Sequence, residues 1–508
     1  MKRALRVLFY AGFIAAVILF AYTSDDESLS LPVRGEGTGI VIAAQNEPNV
    51  IAPVGHAAVV SMNKNLMTHN GLFRIHYDTL EPIPDLVESW QALSDTSFEF
   101  KLREGVMFHT GEEMTADDVI ASWTFARHFQ SAAHESIVDF YAAGRYTVRL
   151  DTGAPNAMLF FDLTNPANMI GPRSLIESGH NFNSIPIGTG PFVFEEWRRG
   201  NFMHFTAFED YFDSQRSANI DYVIWRFIPE GASRTIALEI GEVDFNMDVA
   251  PADIERLRNN SDIEVVIRPG ISHGHLLLNN DRPLFSDVYV RRAIGMAINK
   301  ERMVSIGLGE RAVPTWSQVP AIFIGATEEG SYSFDPEGAR ALFAQHNIDP
   351  ASLAFNIIAS NEERVRMAEV IQADLAEISI TVTITMTDLG TTFARTSAGD
   401  FDAAFGGFTA NSLLGYMRGI FHHELIDLTN RSRIRSQELS DLIDQAVAEV
   451  DTDARAAILH EAVVTANNYT GQIPTHMDMV VRAFGPNITV PEISANGSLS
   501  LNMMYLRD

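Results

Sequence analysis

Two histidines, His273 and His275, have a spacing that could support chemistry. One residue separates them in the run ISHGHLLL, which is typical of a strand, and alternate side chains of a strand project from the same face. Two imidazoles on one face could hydrogen-bond a ligand or contribute to a metal site. Packing inside a core or a hinge is the alternative, and the sequence leaves both roles open.

Further candidates follow the first apolar strand of the chain. The run from Gly39 to Ala44 indicates a buried strand, and the next segment, QNEPNVIAPVGHAAVV, has no periodicity of its own. Binding groups collect in loops at the ends of strands. Asn46 and His56 are therefore candidate ligand-binding residues, with solvated loop side chains as the alternative.

We expect no catalytic residue, no cofactor and no metal ion. The chain contains no cysteine, which excludes disulfides, thiolate metal sites and a cysteine nucleophile. It also lacks G-x-S-x-G, H-E-x-x-H, a Walker loop and a dinucleotide-binding fingerprint. His422, His423 and Glu424 have metal-ligating side chains, but adjacent side chains diverge, so we expect no metal there.

The elements that must position these residues are clearest between Leu276 and Val304. An apolar strand, Leu276 to Leu278, is followed by turn-forming residues and then by an amphipathic helix. Asp287 can cap the first turn of that helix, and apolar residues from Val290 to Ile298 recur at helical spacing. The stretch therefore predicts a strand, a turn and a helix.

A strand–helix–strand unit follows. Residues 334–347 predict a helix capped by Asp335, with Pro336 at its first position. A strand from Ala354, a one-sided apolar helix and an alternating strand that ends at Met386 come next. A crossover of this kind implies parallel strands and an α/β lobe.

Composition limits the possible architecture and partners. A chain of 508 residues exceeds the size of a single core, so at least two domains are expected. The formal net charge is −28, which argues against nucleic acid as a partner because no basic surface would neutralise phosphates. We expect a monomer.

The N-terminus predicts a targeting segment. Lys2, Arg3 and Arg6 precede an apolar run that extends to Tyr22, and acidic residues follow it. Residues 1–24 are interpreted as a cleaved signal peptide or an uncleaved anchor. Both place the body of the protein outside the cytoplasm, in the periplasm.

Five blocks of the sequence resemble the extracytoplasmic solute-binding proteins of peptide-type ABC importers, solute-binding protein family 5. The first is P-x-F-x-D-V-x-V-R-x-A-I-x-x-A-I-N-K-E at residues 283–301. The others are GLFRIHYDTLEPIPDLVESW, SFEFKLREGVMFHTGEEMTADDV, PIGTGPFVFEEW and DYVIWRFIPEGASRTIALEIGEVDF, all in the family order. In PIGTGPFVFEEW the glycines are expected to permit a tight turn before the strand.

The resemblance implies an α/β fold of the type II periplasmic-binding-protein class, in its large three-subdomain variant, with a hinge between two lobes. The implied boundaries are residues 1–24 for the signal peptide or anchor, 25–38 for a linker, 39–268 for lobe I with an extra subdomain at about 57–185, 269–475 for lobe II and 476–508 for the return to lobe I.

The resemblance also implies ligand contacts. Peptide binders of this family carry an aromatic residue and an Asp that pairs with the peptide ammonium, and here Phe408 and Asn411 occupy those positions. A carboxylate–ammonium bond contributes about 1.5–3 kcal/mol, so its loss puts free α-amino peptides in doubt. Trp316 lies in a loop that the family uses near its cleft. Tyr416 and Arg418 could reach the cleft, where Arg418 could hold a ligand carboxylate.

The function implied by the resemblance is capture of a peptide-like small solute and its delivery to an inner-membrane ABC permease, with no chemistry on the ligand. One alternative is a non-peptide ligand, such as a sugar, an opine-like compound or an N-blocked compound. A secreted hydrolase and an anchored sensor are further alternatives.

Overall fold

The structure is a computed structural model that describes residues 37–48, 51, 62–128 and 136–506. Its strands, in chain order, are β1 Gly39–Ala44, β2 Phe73–Ile75, β3 Pro82–Pro84, β4 Val87–Ser94, β5 Ser97–Leu102, β6 Ile137–Gly144, β7 Thr147–Thr152, β8 Phe192–Arg198, β9 Phe202–Ala207, β10 Tyr222–Phe227, β11 Phe245–Asn246, β12 Glu264–Leu278, β13 Ala312–Pro314, β14 Ala354–Ala359, β15 Thr381–Met386, β16 Ala403–Thr409 and β17 Gln472–Phe484.

Its α-helices, also in chain order, are α1 Met62–Thr68, α2 Ala116–His128, α3 Leu159–Leu163, α4 Arg173–Ser178, α5 Gly231–Glu239, α6 Ile254–Arg258, α7 Pro283–Ser286, α8 Val288–Ala297, α9 Lys300–Gly307, α10 Pro336–Gln345, α11 Glu362–Glu377, α12 Leu389–Ala398, α13 Leu413–Phe421, α14 Gln437–Ala448 and α15 Thr452–Tyr469.

The first lobe is built around β1, which is buried along its whole length. It pairs in parallel with β10 on one side and with β11 on the other. Ile40 and Ile42 pack into a core on one face of the sheet, while Val41 and Ala43 pack into a core on the opposite face. Because both faces are covered, the strand sequence GIVIAA shows no polar alternation.

Two long antiparallel strands, β12 and β17, connect the lobes within one continuous sheet. At one end of β12, Val265 packs against a first-lobe core. At the other end, Leu276 and Leu278 belong to the core of the second lobe. The pairing of the two strands shifts register between Pro269 and His273, so the irregularity lies where the chain passes between the lobes.

The second lobe confirms the predicted crossover. β14 and β15 are parallel, and α11 between them packs its apolar face into the lobe core. Asp287 accepts a hydrogen bond from the backbone N–H of Tyr289 at the start of α8. Asp335 caps α10 by accepting one from the N–H of Gly338. Both caps lie where the sequence predicted them.

A third packing unit is the antiparallel sheet of order β4-β5-β7-β6. Phe98, Phe100 and Leu102 of β5 alternate into its core, and Trp123 of α2 is buried against them. The whole unit lies within the predicted extra subdomain at residues 57–185. That boundary and the other domain boundaries stay predictions.

Val106 and Phe108 alternate along the sequence as residues of a strand do, but no strand forms there. Both side chains are buried in the core of the third packing unit, but Met107 makes only an isolated bridge to Glu113. The alternation of apolar residues at these positions reflects their burial. The Phe108 N–H donates to the Glu112 carbonyl and the Val106 carbonyl accepts from the Met114 N–H, but this single bridge is too short to form a strand.

Among the described residues, none of the helices combines the length and the apolar character needed to cross a bilayer. The predicted targeting segment, residues 1–24, lies outside the described residues.

Candidate functional site

The candidate site, here called the cleft cavity, lies between the two lobes. On the first-lobe side it is bounded by α1, β2, the start of β8 and the C-terminal segment 496–502. Asn411, which follows β16 in the second lobe, lines its other side. The cavity contains ≈ 910 Å³ of space between protein atoms, part of it open to solvent. Its lining combines apolar side chains with a limited set of polar groups, as the linings of small-molecule sites do.

One wall of the cleft cavity is fixed by a network around Arg216. This guanidinium donates to Asp85 Oδ1 at 2.5 Å and to Asp213 Oδ2 at 2.7 Å. The second oxygen of Asp85 accepts from Asn70 Nδ2 at 2.9 Å. Burial alone would lower the pKa of Arg216, but Asp85, Tyr211 and Asp213 outweigh burial and raise it. The charge of Arg216 is therefore compensated within the protein.

Arg74 lies in the same wall but outside that network. It is the middle residue of β2 and lines the cavity together with Phe73 and Ile75. Its side chain is 25% exposed, and its Nε atom is 3.9 Å from Asp85 Oδ1. The side chain of Arg74 makes no hydrogen bond to any described residue.

The pKa of Arg74 reflects this position. Burial lowers it, the neighbouring charge of Arg216 lowers it further, and Asp85 offsets only part of the two effects. Arg74 is therefore a largely buried cation whose charge is incompletely compensated.

The other polar side chains of the cleft cavity are uncharged. They are the amides and hydroxyls of Asn63, Asn70, Tyr77, Thr164, Tyr211, Asn411, Asn496, Ser498 and Asn502. His69 also lines the cavity, and burial lowers its pKa well below the usual value, so the ring is neutral. Burial raises the pKa of Tyr77 to about 12, so its phenol stays protonated. The cavity therefore offers hydrogen bonds together with the guanidinium of Arg74.

Contacts between distant segments assemble this lining. Asn63 of α1 accepts a hydrogen bond from the backbone N–H of Leu499 and donates to the carbonyl of Gly497. Asn496 Nδ2 donates to Asn411 Oδ1 at 3.4 Å. The C-terminal segment thus connects first-lobe helix α1 with the second-lobe residue Asn411.

A second cavity lies on the other side of Asn411. Glu81 and Arg455 line it from the first and second lobes respectively. Burial raises the pKa of Glu81, and the charge of Arg455 partly offsets this effect. Asn411 is the residue that borders both spaces.

The glycine-rich loop PIGTGPF borders the cleft cavity through close packing. A Cβ at Gly190 would lie 2.4 Å from the carbonyl oxygen of Met67, and a Cβ at Gly188 would lie 2.5 Å from that of Thr68. Neither glycine has a positive φ. The predicted turn coincides with a bend at residues 188–191, directly before β8, and the glycines also allow the loop to approach the backbone at the end of α1.

His273, His275 and Tyr416 form a buried polar group, here called the His–Tyr cluster. His275 Nε2 lies 2.9 Å from His273 Nδ1, and the Tyr416 hydroxyl lies 2.8 Å from each of these nitrogens. All three residues have 0% exposure. Burial lowers the pKa of His275 to about 3 and lowers that of His273 well below its usual value. Both rings are therefore neutral.

Trp316 packs on a buried lysine. The Lys300 ammonium is 4.0 Å from the centre of the Trp316 ring and 4.9 Å from that of Tyr332, and it donates to the carbonyl of Thr315. Burial lowers the pKa of Lys300 well below its usual value. Trp316 thus covers a buried amino group within the second lobe.

The structure places the predicted site residues in several environments. Asn411 lines the cleft cavity, while Asn46 is exposed in the segment that follows β1. Phe408 is half-buried, with its ring 5.6 Å from that of Tyr416. Arg418 is half-buried near the end of α13.

His56 lies outside the described residues. Apart from Asn411, none of the described candidates is among the residues that line the cleft cavity. Their predicted ligand contacts stay predictions.

Arg74 and Arg216, which line the cavity, were missed at the level of sequence. A charge between two apolar residues in the run FRI was an available signal for Arg74. Arg216 lies in a polar loop with no distinguishing pattern. Among the described residues, no three His, Cys, Asp or Glu side chains converge in a way that could hold a metal ion.

Two lobes joined by paired strands, with a polar cavity between them, define a solute-binding protein of the periplasmic type. Residues 81–417 match the family described as "Bacterial extracellular solute-binding proteins, family 5 Middle". The chain belongs to this family of bacterial extracellular solute-binding proteins, as the resemblance of the five sequence blocks predicted.

Individual relatives agree with this assignment. The chain is 29% identical to "Di/tripeptide-binding protein 2" of Pseudomonas aeruginosa (strain UCBPP-PA14), over 63% of this chain and 66% of that protein. It is 25% identical to "Dipeptide-binding protein" of Escherichia coli (strain K12), over 79% of this chain and 82% of that protein. The solved structure of HbpA2 from Haemophilus parasuis has a TM-score of 0.85 at 23% identity, covering 92% of this chain and 100% of that one. This last similarity supports the two-lobe fold.

Proposed function

We propose that this protein is the extracytoplasmic receptor of an ABC importer. It captures a peptide-like small solute in the cleft cavity and delivers it to an inner-membrane permease. The supporting observation is a polar cavity lined by Arg74 and its neighbours from one lobe and by Asn411 from the other. A ligand that contacts both lobes stabilises the closed state, and this difference is the signal that a permease can read.

Two of the similar proteins are named for binding dipeptides or tripeptides, which supports a solute of that size. The ligand is released unaltered, because the proposed role is binding and delivery. The protein works as a monomer in the periplasm, with residues 1–24 as its signal peptide or anchor.

A second candidate is the same receptor role for a non-peptide solute, such as an opine-like or N-blocked compound. The observation that favours it is the neutral amide of Asn411 on the second-lobe side of the cavity. A neutral amide compensates a buried ammonium poorly, whereas it hydrogen-bonds well to an uncharged amide or hydroxyl group.

Calorimetric titration and thermal unfolding of the purified protein test the proposal. The panel contains dipeptides, tripeptides, N-acetylated dipeptides, opines and sugars. A ligand that binds only the native state stabilises it by RT ln(1 + [L]/Kd), about 2.7 kcal/mol at a concentration of 100 Kd. The proposal predicts saturable binding of one compound class with a matching rise in Tm. Absence of binding and of any Tm shift across the panel would contradict it.

A further inference from the structure

Arg74 presents a guanidinium to the cleft cavity without a hydrogen-bonding partner among the described residues. Three quarters of its side chain is buried, and its Nε atom is inaccessible to water. A guanidinium carries five N–H donors in a planar fork that fits a carboxylate. Buried donors without an acceptor are unfavourable, so the guanidinium of Arg74 lacks a hydrogen-bond acceptor at this point of the cavity.

Asp85 does not accept a hydrogen bond from Arg74. Its Oδ1 atom accepts the bond from Arg216 and its Oδ2 atom the bond from Asn70. The distance from Arg74 to Asp85, 3.9 Å, exceeds that of a hydrogen bond. Asp213 is likewise engaged by Arg216. Asp85 and Asp213 therefore both pair with Arg216 and not with Arg74.

The other charged groups near the cleft cavity do not change the pairing of Asp85 and Asp213 with Arg216. Among the described residues that line the cleft cavity, the charged side chains are Arg74, Arg216 and Asp85. Asp85 and Asp213, which is not part of the lining, both pair with Arg216, so Arg74 is left without a hydrogen-bonded carboxylate although the four charges balance. Glu81 lies in the second cavity, where Arg455 acts on it. Glu492, which acts on Tyr77, is exposed.

Given the receptor role proposed above, we propose that Arg74 anchors a carboxylate of the ligand. The cleft then selects small peptide-like acids whose nitrogen carries no positive charge. Arg74 supplies a two-bond contact to the carboxylate. Asn411 and Asn496 supply amide groups for the uncharged remainder, and no lining carboxylate among the described residues is free to receive an ammonium group.

Four probes separate the two halves of this inference. They are L-alanyl-L-leucine, its N-acetyl derivative, and the C-terminal amides of both. Calorimetric titration of the wild-type protein is expected to give the tightest binding for the N-acetylated free acid. Amidation of the carboxyl group should weaken binding at least about tenfold, since a charge-assisted bond contributes roughly the 1.4 kcal/mol that corresponds to tenfold.

Variants identify the anchor. Arg74→Gln removes the positive charge and should remove most of the difference between the acid and the amide. Arg256→Gln is the matched control, because Arg256 pairs with Glu239 on the surface of the first lobe and does not line the cavity. It is expected to bind all four probes as the wild type does. Thermal unfolding of the ligand-free variants checks that each is folded.

The outcomes separate this inference from the proposed receptor role. Tight binding of the free dipeptide that is lost in Glu81→Gln would overturn the inference and leave the receptor role standing. Equal binding of the acid and the amide by the wild-type protein would also overturn the inference and leave the receptor role standing. This comparison needs no variant, so it holds even if Arg74→Gln does not fold. If neither these probes nor the wider panel bind, both the inference and the receptor role are overturned.

Discussion

Acidification should destabilise the protein through the His–Tyr cluster. His273 and His275 are fully buried, and burial lowers the pKa of His275 to about 3 and that of His273 well below 6.5. The neighbouring His476 and Lys300 act in the same direction. In the unfolded chain a histidine titrates near 6.5. As the pH falls below that value, the unfolded state binds protons that the folded state rejects, so stability is lost.

The magnitude follows from linkage. Between pH 7.5 and pH 4.5, a histidine with an unfolded pKa of about 6.5 and a folded pKa of about 3 lowers the free energy of unfolding by about 2.7 kcal/mol. His273 adds to the loss in the same direction. The loss begins near the unfolded pKa and continues until the folded pKa is reached.

The assay is urea unfolding at the two pH values, followed by tryptophan fluorescence. His275→Gln keeps an amide near the position of Nε2, where Tyr416 lies 2.8 Å away, but it cannot titrate. This variant should lose about 2–3 kcal/mol less stability on acidification than the wild type does. His460→Gln, at a half-exposed surface position, is the control and should follow the wild type. Equal losses in the wild type and in His275→Gln would refute the reasoning.

Three further predictions concern packing and selectivity. Gly190→Ala should destabilise the protein by about 2 kcal/mol or more, because the new Cβ would lie 2.4 Å from the Met67 carbonyl oxygen. Gly144→Ala is the control, because a Cβ has room at that position. Denaturation midpoints below the wild type for both variants, or for neither, would contradict this prediction. Arg291→Met should cost about 3 kcal/mol in urea unfolding, since four hydrogen bonds from this buried guanidinium to backbone carbonyls are lost, and an unchanged midpoint would contradict it. Asn411→Asp should strengthen binding of free dipeptides relative to N-acetylated ones about tenfold, and an unchanged ratio in calorimetry would contradict it.

Local sequence patterns predicted much of the fold. Residue types at the helix starts placed the caps at Asp287 and Asp335, and the apolar periodicity gave the β14–α11–β15 crossover. The strand pairing missing at Val106 and Phe108 could not be predicted in this way. Their alternation reflects burial in a core, and their pairing with residues 112–114 stops after a single bridge.

The site was less accessible from sequence. The alternation of side chains along a strand correctly predicted that His273 and His275 share one face. Tyr416, whose hydroxyl contacts both rings, is more than 140 positions away in the chain. The cleft cavity joins segments as distant as Asn63 and Leu499, which are 436 positions apart. No local pattern reports such contacts, so the free guanidinium of Arg74 became apparent only in three dimensions.

Native mass spectrometry of the protein purified without refolding tests its role as a reversible solute receptor most directly. A mass above that of the chain, removed by mild unfolding and restored by adding back the released molecule, is the predicted result. The released molecule should be a small acid, chemically unchanged after rebinding. Recovery of a converted product, or a chain that carries no small molecule and binds none, would contradict this role.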